Sequence, residues 1–234
     1  MLEKLYELFK WEKQVEDLEK LKWDDLWEAT LETLYMTSIS VVATFIIGLF
    51  LGLVLFLTDK GNAWENRYIN GFVSAIVNIF RSIPFIILLV LLIPFTKIIM
   101  GSMLGPNAAF PSLIIGAAPF YARMVEIALR EIDKGVIEAS HSMGATNSTI
   151  IYKVLIPESL PALISGITVT AISLISFTAM AGVIGAGGLG HFAYLYGFQG
   201  NKPIITFIAT VAIVILVFII QFLGDFFTKY TDKR

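Results

Sequence analysis

The sequence contains no cysteine, which excludes disulfide frameworks and thiolate metal sites. Histidine is nearly absent too. His141 and His191 lie far apart and neither has ligand-like spacing around it, so no metal site is expected. Charge is scarce, with 15% Asp, Glu, Lys and Arg and a formal net charge of −2, which leaves no basic footprint for nucleic acid. No GxxxxGK[ST] phosphate loop, HExxH pair or GxSxG elbow occurs, so the chain is not expected to hydrolyse ATP by itself. The chain of buried carboxylates that a proton-coupled carrier uses is also missing.

What remains is overwhelmingly apolar: 56% hydrophobic residues and a mean hydropathy of +0.77. The apolarity is concentrated in blocks, since 33–58, 160–199 and 203–224 carry no Asp, Glu, Lys or Arg. In lipid only a helix can satisfy its own backbone within one segment, so such blocks read as spanning helices. Several along one chain exclude a lone signal peptide. The expected fold is therefore an all-α integral membrane protein with five spans, near 31–58, 69–95, 108–130, 160–184 and 203–226. Arg81 interrupts the second and Pro84 follows one turn later, while Pro111 and Pro119 should bend the third. Arg81 either snorkels to the cytoplasmic surface or faces the bundle interior.

Orientation follows from the basic residues. Lys60, Arg67, Arg81, Arg123, Arg130, Lys134, Lys153, Lys229, Lys233 and Arg234 fall on one side of the expected spans. The opposite loops hold Lys97 and Lys202. The first group is then cytoplasmic, which puts the N-terminus outside. Residues 1–29 form a separate segment with Leu2, Leu5, Phe9, Val15, Leu18 and Leu21 at roughly helical spacing and Trp11, Trp23 and Trp27 interleaved. An amphipathic helix on the membrane surface and a solvated arm both fit that pattern. Residues 30–221 form the transmembrane domain and 222–234 a cytoplasmic tail.

Some familiar patterns carry no chemistry here. Gly185-Ala-Gly187-Gly-Leu-Gly190 satisfies GxGxxG by letter, but it closes a membrane span instead of joining a strand to a helix. Asn147-Ser148-Thr149 is a glycosylation sequon in a loop assigned to the cytoplasm. Gly48 and Gly52 allow close approach of another helix.

The loop after the third span is the informative one. Arg123, Glu126 and Arg130 have i+3 and i+4 spacing, so the helix can leave the membrane with internal ion pairs. A short helical stretch then runs from Glu138 to Gly144, a glycine suited to a left-handed cap. Thr146 or Asn147 can cap the next helix, and Pro157 and Pro161 punctuate re-entry into the bilayer. The hairpin offers Ala139, Met143 and Ile150 as an outward face for a partner or for the membrane surface.

Glu138-Ala139-Ser140, Gly144, Val154 and Ile156-Pro157 resemble the E-A-A-x3-G-x9-I-x-L-P loop of ABC importer permeases, with Ser140, Val154 and Ile156 as conservative departures. The stretches beginning at Asn78, Gly116 and Ala179, and Tyr196-Gly197-Phe198-Gln199, look like the methionine importer permease subunit. The resemblance covers about 30–234 and implies a five-span type I importer permease of the bacterial cytoplasmic membrane. It implies a homodimer with the pathway at its interface and two ATPase subunits that carry ATP and Mg, this chain binding no cofactor. An extracytoplasmic methionine-binding lipoprotein would deliver methionine, in L and D forms. The same machine acting on another small amino acid or short peptide is the alternative, with a stand-alone channel or carrier less favoured.

The resemblance makes the loop a coupling helix, with Glu138, Ala139, Ser140, Met143, Gly144, Ala145, Ile150 and Pro157 as its contact set. Glu138 then either pairs with a basic residue of the ATPase or caps its own helix. Ser165, Val169, Ser173, Ser176 and Met180 share one face of the fourth span, as pathway residues or as packing. Met180, Ser176, Ser173 and Arg81 are the candidate pathway or gate residues, Met180 because a soft side chain can close on itself and reopen. Residues 185–202 are rich in glycine and aromatics, and Tyr194 and Tyr196 there either contact the binding protein or fold into the mouth.

Overall fold

A computed structural model describes residues 11–19 and 21–232. All regular structure among these residues is helical, and the long helices are the apolar blocks of the sequence. Helix α1 (Trp11–Glu19) precedes α2 (Trp23–Thr58). The rest of the expected amphipathic segment, 1–10 and 20, lies outside the described residues. Asp24 and Asp25 occupy the first turn of α2, where carboxylates favour the positive end of the helix dipole. With 36 residues, α2 reaches about 54 Å at 1.5 Å per residue, well beyond the roughly 30 Å hydrocarbon core.

The second expected span is not one helix. It is a pair, α3 (Arg67–Ser82) and α4 (Phe85–Met100), bent by 108°. Pro84 explains the break: the residue before a proline is pushed out of the helical region, and Ile83 sits at φ −82 and ψ 123. The start of α3 is fixed by Asn66, whose side chain accepts from the Tyr68 and Ile69 amides. Helix α5 (Pro106–Arg130) runs unbroken through Pro111 and Pro119.

The helical stretch that carries the fourth expected span begins earlier than the prolines suggested. Helix α6 (Lys134–Ser142) is followed by α7 (Asn147–Ile150), a π turn (Ile151–Leu155) and α8 (Ile156–Val183). The last three make one 37-residue stretch from Asn147 to Val183. Pro157 lacks an N–H and its ring would crowd the carbonyl four residues back. The wider π turn relieves that crowding, with the Ile156 N–H bonded to the Ile151 carbonyl, so the helix passes Pro157 without ending. A short α9 (Gly188–Phe192), a second π turn (Ala193–Gln199) and α10 (Pro203–Thr231) complete the chain. Four of these stretches are long and apolar enough to cross a bilayer, and up to five if the bent pair counts as one.

The chain divides into two compact units. One comprises Met1–Ser40, Phe85–Leu113 and Ser173–Ile219, the other Val41–Pro84, Ile114–Ile172 and Ile220–Arg234. In the first, Phe85 stacks on Phe177 at 4.1 Å and the Tyr35 hydroxyl donates to Asn107 at 3.0 Å. In the second, a core of Phe56, Leu57, Tyr121, Val125, Leu129, Ile150, Ile151, Leu155 and Leu163 is closed to solvent. Gly48 and Gly52 bring α2 against α5 there. A Cβ on Gly52 would lie 2.5 Å from Val125 and 2.6 Å from the Ala122 carbonyl, so only glycine permits this approach.

Candidate functional site

The hairpin after α5 is assembled by caps. Asp133 starts α6 by accepting from the Gly135 amide at 2.7 Å, which removes self-capping as a role for Glu138 in the helix interior. Gly144 ends α6 at φ +80. The Gly144 N–H donates to the His141 carbonyl at 2.9 Å and the Ala145 N–H to the Ser140 carbonyl at 3.1 Å. These two bonds make a Schellman motif. Thr146, and not Asn147, then caps α7, accepting from the Thr149 amide at 3.3 Å.

Burial sorts the expected contact set. Met143 is 81% exposed, and Glu138, Ala139, Gly144 and Pro157 are exposed as well, with Ala145 half-buried. Ile150 is corrected: expected on the outward face, it is 3% exposed and belongs to the core with Leu57 and Leu129. Its position one turn into α7 turns it inward, where apolar burial holds the hairpin down. Ser140 is likewise buried and donates to the Val136 carbonyl at 2.8 Å. A cavity of about 250 Å³ beside the hairpin is lined by Gly61, Asn62, Ile137, Glu138, His141 and Asn147, among others.

Above the hairpin in sequence, Glu126 is 2% exposed and lies 2.6 Å from both Arg123 and Arg130. Arg123 also donates to Asn78 at 2.9 Å and Arg130 to Asp59 at 2.9 Å. The i+3 and i+4 spacing expected ion pairs here, but nothing in the sequence pointed to Asn78 and Asp59.

Three of the four pathway candidates fall on α8 and Arg81 falls on α3. In the unit that holds 173–219, Met180 is 43% exposed, Ser176 is exposed and Ser173 half-buried. In the other unit Ser165 and Val169 are exposed. The buried hydroxyls of α8 turn back on their own helix instead: Thr170 donates to the Gly166 carbonyl and Thr178 to the Ile175 carbonyl. Arg81 is exposed in the last turn of α3 and has no ion-pair partner among the described residues. Tyr194 stacks on Phe198 at 5.8 Å, and Tyr196 is 46% exposed.

The sequence profile of the binding-protein-dependent transport system inner membrane component family matches residues 45–234. The chain belongs to that family. It is 65% identical over 210 residues to the methionine import system permease protein MetP of Bacillus subtilis, covering 90% of this chain and 95% of that one. It is 48% identical over 212 residues to a probable D-methionine transport system permease protein of Pasteurella multocida, covering 91% and 98%. Its fold matches a chain of the solved MetNI methionine ABC transporter with a TM-score of 0.88 at 49% identity, covering 89% and 97%. As a member of this family the chain is a membrane permease with the all-helical fold of a type I importer.

Family membership leaves two groups outside the motifs. Glu32 and Thr33 of α2 bond the amides of Gly188 and Leu189, 156 positions away. Their only sequence signal is polar residues at the edge of a charge-free block. Asn70 donates to the Leu55 carbonyl at 2.8 Å and so ties α3 to the end of α2.

Proposed function

We propose that the chain is the transmembrane subunit of an ATP-driven methionine importer, accepting L and D forms and working as two copies. Two ATP- and Mg-binding subunits dock on the cytoplasmic side, and an extracytoplasmic binding lipoprotein docks outside, where the N-terminus also lies. The carrying observation is 65% identity across 90% of the chain to a methionine import permease. A count of five spans takes α3 and α4 as one broken span, and the relatives support a place in the bacterial cytoplasmic membrane.

In this reading Glu138, Ala139, Met143, Gly144, Ala145 and Pro157 meet the ATPase, while Ser140 and Ile150 hold the docking helix from beneath. The capped hairpin supports it, because a docking element must keep its shape while it is pulled. ATP closing the ATPase pair biases the spans outward and hydrolysis resets them, a two-state element shifted from either side. Met180, Ser176 and Ser173 line or gate the pathway, and Arg81 supplies a cation near its cytoplasmic end. Tyr194 and Tyr196 contact the binding protein.

The deciding experiment reconstitutes the chain with its ATPase and binding protein in vesicles and measures ATP-dependent uptake of labelled methionine. Uptake that ATP does not drive refutes the importer reading. ATP-driven uptake of another amino acid with none of methionine refutes the solute alone.

A further inference from the structure

Helix α9 begins with no cap of its own, because Gly187 at its N-terminus has no side chain. The missing acceptors come from α2. The Gly188 N–H donates to Glu32 Oε2 at 2.6 Å and the Leu189 N–H to Thr33 Oγ1 at 2.8 Å. Thr33 is 2% exposed and donates in turn to the Ala29 carbonyl at 3.0 Å. Gly187 and Gly188 have φ of +87 and +76. A Cβ on Gly187 would lie 2.5 Å from Glu32 Oε2, and one on Gly188 2.7 Å from Thr33 Oγ1. These glycines therefore supply both the left-handed backbone and the room for two side chains.

The other side of α9 is fused to the end of α8. Gly182 and Gly190 meet there, a Cβ on Gly190 overlapping the Ala179 carbonyl and one on Gly182 the His191 amide. His191 Nδ1 is 3.0 Å from the Gly182 carbonyl. Met180 thus stands on a turn of α8 that is locked to α9, and α9 is locked to Glu32. We infer that Glu32 is a positioning residue for the outer gate, holding Met180 in place through α9. The inference rests on the reading of Met180 as a gate. Glu32 carries a charge-assisted hydrogen bond, the kind that weighs most in a low-dielectric setting.

The test is Glu32→Ala in the vesicle-reconstituted complex with its ATPase and binding protein. Three quantities are read: ATP-independent efflux of preloaded labelled methionine, ATP hydrolysed per methionine taken up, and complex yield. Efflux or ATP per solute should rise about tenfold, as expected when a bond of this kind is lost from one state of a two-state element, with yield preserved. Glu32→Gln, whose amide oxygen reaches the same N–H, should return both to within about threefold of wild type. A purely structural cap would lower yield and leave the ATP-to-solute ratio alone. Both transport readouts within twofold of wild type in an assembled Glu32→Ala complex would overturn the inference. If Glu32→Ala does not assemble, Glu32→Asp decides, because its carboxylate keeps the charge but falls one methylene short. Wild-type coupling in that variant overturns the inference, and uncoupling supports it. A wild-type complex without ATP-driven uptake removes the importer reading itself, whereas a coupled wild type with an unchanged variant removes only the role of Glu32.

Discussion

Gly144→Val tests the link between backbone conformation and coupling. Gly144 has φ +80, and a Cβ there would meet nothing within 4 Å. The penalty is therefore one of backbone conformation and not of collision. A left-handed residue with a Cβ costs about 1–2 kcal/mol, and β-branching adds to it because χ1 is already restricted. If the chain escapes by leaving the left-handed region, it loses the bonds from Gly144 to His141 and from Ala145 to Ser140, each worth about 1 kcal/mol. Either route is too small to unfold the spans, against a typical stability of about 5–15 kcal/mol, yet it redirects α6 relative to α7. ATP-driven methionine uptake and co-purification of the ATPase should then fall together while the membrane subunit is still produced. Gly144→Asn should stay near wild type, since asparagine tolerates this conformation, and Gly144→Ala should fall between the two. The reasoning fails if Gly144→Val couples as well as wild type. It fails equally if Gly144→Asn is as damaging as valine, because side-chain bulk at the interface would then explain both.

Other substitutions probe the remaining claims. Met180→Asp, at a half-exposed site, should raise methionine leak or abolish transport while the complex assembles normally; unchanged uptake would count against a gate. Glu126→Ala leaves Arg123 and Arg130 without their shared carboxylate. The thermal midpoint of the purified complex should drop by the equivalent of about 1–3 kcal/mol, less than a fully buried pair because both arginines are partly solvated. Gly52→Val should abolish accumulation of the subunit, because its Cβ has Val125 at 2.5 Å and the Ala122 carbonyl at 2.6 Å. Gly71→Ala, a helical position with nothing within 4 Å, should be tolerated when both variants are followed by membrane blot, and helix propensity favours it by about 1 kcal/mol. A photo-cross-linker at Tyr196 should capture the binding protein when it is loaded with methionine, and labelling of lipid alone would place that loop in the mouth instead.

The apolar blocks and the hairpin were legible because their signals are local. Charge-free runs of twenty residues or more force a helix in lipid, and a glycine between two short helical stretches announces a left-handed cap. What escaped was set by geometry between distant segments or by a neighbouring residue's chemistry. Pro84 was noticed as an interruption, but its effect on Ile83 splits the second span into two helices bent by 108°. Pro157 read as punctuation at re-entry into the bilayer, while the π turn before it lets the helix continue. Ile150 read as outward because a short helix in isolation has no inside. The burial of α7 against Leu57 and Leu129 supplies one. Glu32 showed only as a polar residue at the edge of a charge-free block, since its partner lies 156 positions away.

The hairpin's placement bears on how motion would pass through the chain. Met143 stands at its exposed tip, one residue from the capped turn. Ile150, Ile151 and Leu155, a turn or two further on, are packed in the same core as Tyr121, Leu129 and Leu163. Tyr121 also donates to the Leu163 carbonyl at 3.3 Å, so α5 and α8 are joined by a hydrogen bond as well as by packing. Close-packed cores resist small distortions and move as bodies, and α7 continues into α8 without a break. A displacement applied at Met143 therefore has only the short turn to Thr146 to cross before it reaches α7 and α8. That turn pivots on Gly144, and its two Schellman bonds restrain it. This is why the conformation of a single glycine, exposed and touching nothing, should matter to transport more than its contacts suggest.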